Sequence, residues 1–323
     1  MKFLILDTTN PHFNLAVEEY LFRTSEEDVF MLWQNAPTVV IGKNQNAYAE
    51  ADLEYLKKEG IYLARRITGG GAVYHDLGNV NYSFISRREE GTSFARLAEP
   101  IIEALASLGI RVSVSGRNDL LCEDGRKVSG CAEYAVGERV LHHGTLLFDA
   151  DLTALSRALR PDNEKLATHA VKSTRSRVCN MRTLLTCDMG VSEFISRISD
   201  YIINRYAPKI IDVPLCDEVD KLTRRNASDG WLYPDSAFLS ECSLDVGRRF
   251  AFGRVNVKGK IKNGIFESVR IFGDFFGNGD VSELEDKLVG KDVEEIRKML
   301  SKTDIGSYIF GMTADDFISL IEP

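Results

Sequence analysis

At 323 residues, with 44% hydrophobic and 27% charged side chains, the chain reads as a globular protein with material for two cores, which excludes a disordered or fibrous chain. A formal net charge of −8 argues against a general nucleic-acid binder, whose surface carries a basic excess, and leaves room only for a local cationic site. The apolar run of Met1–Asp7 is too short for a secretory leader, no stretch reaches the roughly 18 apolar residues of a membrane span, and six scattered cysteines without a CxxC pair point to reduced thiols, so a cytoplasmic protein without membrane or nucleic-acid partners is expected.

Lys2–Leu6 reads as a buried strand, followed by turn residues Thr8-Thr9-Asn10-Pro11. Asn14 is placed to cap a helix in which Leu15, Glu18, Glu19 and Phe22 recur at helical spacing. Val29–Trp33 and Thr38–Ile41 read as strands joined in hairpin fashion through Asn35-Ala36-Pro37. Asp52–Glu59 is a helix ended by Gly60, and Ile61–Ile67 a strand running into Gly69-Gly70-Gly71. Asn79–Ser86 reads as a strand and Phe94–Leu108 as an amphipathic helix; Arg111–Val114, Asp119–Cys122, Lys127–Tyr134 and Val140–Phe148 form a run of strands. Helices follow at Leu152–Leu159 and Val191–Tyr206. Strands in runs with helices grouped between them predict an α+β fold with a mixed sheet. Between Asp229 and Cys242 the periodicity fades, placing a large domain at 1–236, a linker at about 237–242 and a small α+β domain at 243–323. There Arg248–Lys260 and Ile265–Phe272 alternate around Lys262-Asn263-Gly264, and Val281–Leu288, Val293–Leu300 and Ala314–Ile321 read as helices.

The segment from Arg65-Arg66 through Thr68-Gly69-Gly70-Gly71-Ala72-Val73-Tyr74-His75-Asp76 concentrates chemistry. Three successive glycines leave main-chain N–H groups bare and free to adopt positive φ, which suits a loop around a phosphate or carboxylate. The arginines add permanent charge and a fixed fork of donors. A triple glycine alone is equally well a tight turn; with these flanks it reads as an anion-binding loop. It is neither a P-loop nor a GxGxxG fingerprint.

A second segment, Gly116-Arg117-Asn118-Asp119 and then Gly125-Arg126-Lys127-Val128-Ser129-Gly130, places a lysine among small residues on a strand. Alternation puts Lys127 and Ser129 on one face. A mid-sheet lysine needs an anionic partner, either Asp119 or a ligand; otherwise it is a solvated hairpin lysine. In Leu141-His142-His143-Gly144-Thr145 the adjacent histidines point to opposite faces and cannot share a metal, and His12, His75 and His169 stand at no ligand spacing. Gly144 marks close approach by a ligand or another backbone.

Taken in order, these segments resemble the lipoate–protein ligase family. The resemblance rests on Asn14-Leu-Ala-Val-Glu-Glu, Val39-Val-Ile-Gly42 with Gln45-Asn46, the Arg65–Asp76 segment, Gly78-Asn79, Gly116–Asp119, Arg126–Gly130, His142–Leu147 and Ser173–Asn180 with its Arg175-Ser-Arg-Val. It spans roughly residues 1–240 and, more loosely, the rest.

The resemblance implies a catalytic domain of the biotin/lipoate ligase type with a small accessory domain. It also implies lipoate as substrate, ATP with Mg²⁺, a lipoyl-AMP intermediate, and transfer to a lysine of lipoyl domains in 2-oxoacid dehydrogenase E2 subunits or of the glycine-cleavage H protein. Carried over by position, Lys127 is the catalytic residue, touching the lipoyl carbonyl oxygen and the adenylate phosphate. Arg66, Gly71, Ala72, Val73, Tyr74, Asn79 and Asp119 are implied on the nucleotide side, and Gly70, Gly71, His75 and His143 on the lipoate side. No protein ligand for Mg²⁺ is assigned. Two anions must meet to form the adenylate, and fixed cationic and amide donors in a water-poor site let them do so.

Two rivals share the fold. One is an ATP-independent octanoyl or lipoyl transferase working through a cysteine, for which Cys131 or Cys179 would serve. The other is a module that holds lipoyl-AMP or a lipoyl domain without catalysis. A biotin-ligase signature is missing. The Asp229–Cys242 connection is expected to act as a hinge for the small domain.

Overall fold

The computed structural model describes residues 1–89, 92–116, 118–160, 178–234 and 236–322; Arg117, His169 and residues 173–177 of the later motif lie outside the described residues. Up to Ile210 the strands are β1 (Lys2–Ile5), β2 (Val29–Trp33), β3 (Thr38–Ile41), β4 (Tyr62–Arg65), β5 (Val73–His75), β6 (Asn79–Arg87), β7 (Val112–Ser115), β8 (Asp119–Cys122), β9 (Lys127–Val136), β10 (Arg139–Leu147) and β11 (Lys209–Ile210). The helices to this point and just beyond are α1 (Pro11–Thr24), α2 (Ala47–Glu50), α3 (Leu53–Glu59), α4 (Phe94–Ser107), α5 (Leu152–Ala158), α6 (Val191–Tyr206) and α7 (Asp217–Asn226). Eight strands form one sheet in the order β11-β1-β2-β6-β10-β9-β8-β7. Within it β1 runs parallel to β2 and β11, and the pairs from β2–β6 onward are antiparallel. This is the mixed-sheet α+β class expected from the sequence.

Alternation along β2 explains the layering. Phe30 and Leu32 enter a core shared with α4 and α6, whereas Val29, Met31 and Trp33 enter one shared with α1 and α7. All five residues are buried, as in a strand covered on both faces.

Two local expectations are corrected. Helix α1 is capped by Asn10, whose side chain accepts from the His12 and Phe13 amides, with Pro11 in the first turn. Asn14 instead lies inside the helix and is buried; its Nδ2 donates to Thr8 O, Gln34 O and Asn35 Oδ1, tying α1 to the β2–β3 connection. Nor do β2 and β3 form a hairpin. Both edges of β2 are filled by β1 and β6, so β3 leaves to a second sheet, β4-β3-β5, over a core with Val39, Ile41, Leu56 and Tyr74.

Short helices α8 (Asp229–Leu232) and α9 (Ser236–Leu239) occupy the stretch where periodicity fades. Beyond them β12 (Leu244–Phe250), β13 (Gly253–Lys262) and β14 (Ile265–Gly273) form an antiparallel sheet with a hydrophobic core of its own. Helices α10 (Val281–Leu288), α11 (Val293–Leu300) and α12 (Ala314–Ile321) contribute to that core. The run read as one strand over Arg248–Lys260 is two, broken before Gly253, whose φ of 143° suits glycine. Asn263 (φ 52°) and Gly264 (φ 81°) make the expected tight turn. This module sits on the first: the Gly273 amide donates to Asn44 O (2.9 Å), the Gly70 amide to Phe275 O (3.3 Å) and the Ala135 amide to Asn278 Oδ1 (3.3 Å), while Lys43 lies 3.7 Å from Asp280.

Candidate active site

The two arginines at the end of β4 diverge. Arg65 donates to the carbonyls of Gly42, Lys43 and Gln45 and to Trp231 O and Leu232 O, so it knits the framework. Arg66 is buried and shapes the glycine loop. Its Nη2 donates to Gly69 O (2.7 Å) and Gly71 O (2.8 Å), its Nη1 to Val40 O and its Nε to Thr68 Oγ1 (2.9 Å). Burial pulls its pKa down to about 10, with Glu18 acting the other way, so it stays cationic at neutral pH. Gly70 adopts φ 88°, and a Cβ there would press on Phe276 and Arg66.

Arg66, Gly71, Ala72, Val73, His75, Lys127 and His143 line one cavity of about 120 Å³, floored by β6, β10 and β9 and walled by Leu15, Trp33 and Val40. Tyr74, Asn79, Asp119 and Gly70, placed at the site from the sequence, are not among the residues lining it. Tyr74 turns its ring into the second-sheet core, where burial pushes its pKa up to about 12. Asn79 donates to Asn81 Oδ1. Asp119 holds Lys127, with Oδ1 2.7 Å from Nζ.

Lys127 does not share a face with Ser129. The pairing of β8 with β9 slips between Leu120 and Leu121, a bulge that turns Lys127 toward Gly130, where an added Cβ would lie 2.8 Å from Nζ. Ser129 is on the other side, 3.3 Å from Cys131 Sγ. The chain returns beside this lysine: Val178 bridges to Lys127 and the Cys179 amide donates to Lys127 O.

The histidine pair splits between faces as expected. His143 lies on the cavity side in a relay in which Arg66 Nε donates to Thr68 Oγ1, Thr68 contacts His143 Nε2 at 2.9 Å, and His143 Nδ1 contacts Glu18 Oε1 at 2.8 Å. Ser83 donates to the same carboxylate and accepts from Trp33 Nε1. His142 lies on the core side, 3.0 Å from Glu133 and 3.1 Å from Tyr82 Oη. Burial pulls its pKa down, but hydrogen bonds to Cys131 and Glu133 outweigh that and lift it to about 9. His75 is buried against Asn35, and burial, then the charges of Arg66 and His143, lower its pKa to about 3.

Sequence reasoning passed over Glu18, Trp33, Thr68 and Asn81. For Glu18 a signal existed: it and Glu19 fall on the apolar side of α1, and each is only 1% exposed. A larger cleft of about 430 Å³ lies between Asn44–Tyr48, Trp231–Pro234 and Arg270–Phe272; it is lined by Arg65 but by none of the residues that the resemblance placed on the nucleotide or lipoate side.

Residues 10–203 match the family profile of the lipoyl protein ligase A/B catalytic domain, and residues 240–321 that of the bacterial lipoate protein ligase C-terminus. The chain belongs to the lipoate–protein ligase family. A curated relative from that family, lipoate-protein ligase LplJ of Bacillus subtilis, is 38% identical, covering 98% of this chain and 99% of the relative. LipL1 of P. falciparum, solved with lipoate, shares the fold, with a TM-score of 0.79 at 24% identity over 99% of this chain and 97% of that one. A lipoate-protein ligase A solved with ATP superposes with a TM-score of 0.60 at 27% identity, covering 72% of this chain and 98% of that one. Among the described residues no helix is long and apolar enough to cross a membrane.

Proposed function

We propose that this chain is an ATP-dependent lipoate–protein ligase that makes lipoyl-AMP in the cavity between Lys127 and the glycine loop. It then passes the acyl group to a lysine of a lipoyl domain, on an E2 subunit or the glycine-cleavage H protein. The observation that carries the reading is the ammonium of Lys127, fixed by Asp119 over Gly130 at the edge of a cavity whose other wall is the Arg66-shaped glycine loop. One lipoate oxygen attacks the α-phosphorus and diphosphate leaves; the cation beside the two anions offsets their repulsion. The acceptor amine then forms the amide bond and AMP departs.

On this reading Arg66, Gly71, Ala72, Val73, Tyr74, Asn79 and Asp119 serve the nucleotide side, and Gly70, Gly71, His75 and His143 the lipoate side. Mg²⁺ travels with the phosphates as counter-ion, without an assigned protein ligand. The chain divides into a catalytic unit, 1–236, and an accessory unit, 243–323, joined by 237–242; the separate cores support this division. Six free cysteines accord with a reducing, cytoplasmic setting.

A cysteine-based transfer fits less well. Cys131 borders the cavity, but its Sγ lies against Tyr82 Oη (3.2 Å) and Ser129 Oγ on the core side, and Cys179 is buried beside Cys122. The test is to mix protein, lipoate, Mg²⁺-ATP and a lipoyl domain. Lipoate-dependent diphosphate release and a mass gain of one lipoyl group on the acceptor are expected. Acceptor modification from a carrier-protein acyl thioester without ATP would instead favour the cysteine route.

A further inference from the structure

Two buried donors at the cavity have no hydrogen-bond partner among the described residues: Asn81 Nδ2 and His75 Nε2. Asn81 is 2% exposed and His75 4%, and both line the cavity. Leaving such groups unpaired is costly, and with Asn79 Nδ2 donating to Asn81 Oδ1 the free Nδ2 of Asn81 calls, like His75 Nε2, for an acceptor in the cavity. For His75 the hydrogen-bond chain fixes the proton. Asn14 Nδ2 donates to Asn35 Oδ1, Asn35 Nδ2 therefore faces His75 Nδ1 as donor, and the remaining ring nitrogen carries the hydrogen.

Sheet register then shows what the donors face. Asn81 pairs with Trp33 on β2 and with Thr145 on β10, and Thr145 Oγ1 lies 3.2 Å from the Gly130 amide on β9. Directly opposite residues share a face, so Trp33, Asn81, Thr145 and Gly130 form one row on the cavity side, ending at Asp119, the partner of Gly130 on β8. Tyr82, Gly144 and Cys131 make the neighbouring row on the opposite face, where a Cβ on Gly144 would strike Tyr82 and Cys131. Strands lie about 4.8 Å apart, so the backbone of Asn81 is about 10 Å from that of Gly130, above which Lys127 Nζ is held. Side chains reaching in from both ends leave a gap that a carboxyl group spans, with hydrogen bonds of about 2.9 Å on each side.

We infer that Asn81 is a further substrate-contacting catalytic residue, whose amide, with the Nε2–H of His75 beside it, holds the acyl oxygen opposite Lys127. The inference rests on the ligase reading. In lipoate, one oxygen faces Lys127 and attacks phosphorus while the other accepts from Asn81 and His75. In transfer, the acceptor amine bonds to the acyl carbon and the carbonyl pair moves onto the oxygen held by these donors; the pair then returns to re-form the carbonyl as the bond from carbon to the phosphate oxygen breaks with AMP as leaving group, and the amine's proton passes to water. Donors already in place stabilise the charge that develops there.

The test uses the full chain with Asn81→Leu and, should that variant fold poorly, Asn81→Ala. Lipoyl-AMP formation and transfer from supplied lipoyl-AMP are both expected to slow about 10²-fold, the effect of losing one preorganised donor, with KM for ATP unchanged. Affinity for lipoate should fall while affinity for the analogue bearing a methyl group in place of the carboxyl stays the same. Wild-type rates in both half-reactions, or an equal loss of affinity for acid and analogue, would overturn the assignment. If the unaltered protein makes no lipoyl-AMP, the ligase reading itself fails; if it does and Asn81→Leu matches it, only this inference fails.

Discussion

Alanine at position 127 removes the ammonium held over Gly130 but leaves the β9 ladder and the buried Val128 untouched. Lipoyl-AMP formation is therefore expected to drop by 10²-fold or more, in line with the loss of one preorganised charge, while circular dichroism and the unfolding midpoint stay near those of the wild type. Full diphosphate release from Lys127→Ala would sink the role. Two of the buried histidines, His75 and His142, set opposite pH limits. His75 has a folded pKa near 3 against an ordinary value of 6.5, so it costs stability as pH falls from 6.5 toward 3, where the unfolded chain takes up a proton that the folded one refuses. His142, raised to about 9, contributes fully below 6.5 and loses that contribution as pH rises through 9. Melting temperature followed against pH should decline on both sides, and His142→Gln should flatten the alkaline limb alone. Lysine, arginines and triple glycine were legible in the sequence because each stands out by type. The face of Lys127 was not, since a bulge at Leu120/Leu121 depends on pairing with another strand and has no local mark.

At the scale of elements, the link between α1 and the β2–β3 connection depends on one amide. Asn14→Leu would strand Thr8 O, Gln34 O and Asn35 Oδ1, and is expected to cost about 3 kcal/mol or more in urea unfolding. The cap variant Asn10→Ala, which frees only two exposed first-turn amides, should cost about 1 kcal/mol. Equal costs would mean that Asn14 is a helix residue like any other. Amphipathic helices such as α6 and α10–α12 were readable from spacing, as their burial pattern is written within one segment. The parting of β2 from β3 was not: Asn35-Ala36-Pro37 has turn chemistry, and only the occupation of both β2 edges by β1 and β6 forbids a hairpin.

For the whole molecule, the contact between the C-terminal strands and the glycine loop was not foreseeable, because Gly69 to Gly71 carry no side chains to announce a partner. A Cβ on Gly69 would lie 2.5 Å from Phe275 O, a backbone atom that can yield only if the C-terminal module shifts. Gly69→Ala is accordingly expected to loosen the module, seen as faster proteolysis between residues 236 and 243; an unchanged digestion rate would argue that the loop yields instead. Lipoate with ATP should likewise alter the small-angle scattering profile.

The hydrogen bond from Gly70 to Phe275 has a thermodynamic corollary. A single main-chain donor aimed at a neighbouring carbonyl is unavailable to an incoming carboxylate, so occupancy of the loop and seating of the module compete for one hydrogen bond. By reciprocity, the factor by which a seated module weakens an anion's affinity equals the factor by which that anion favours release. Affinity for lipoate, compared between the intact chain and one whose Phe275 carbonyl has been drawn away, would measure that factor directly.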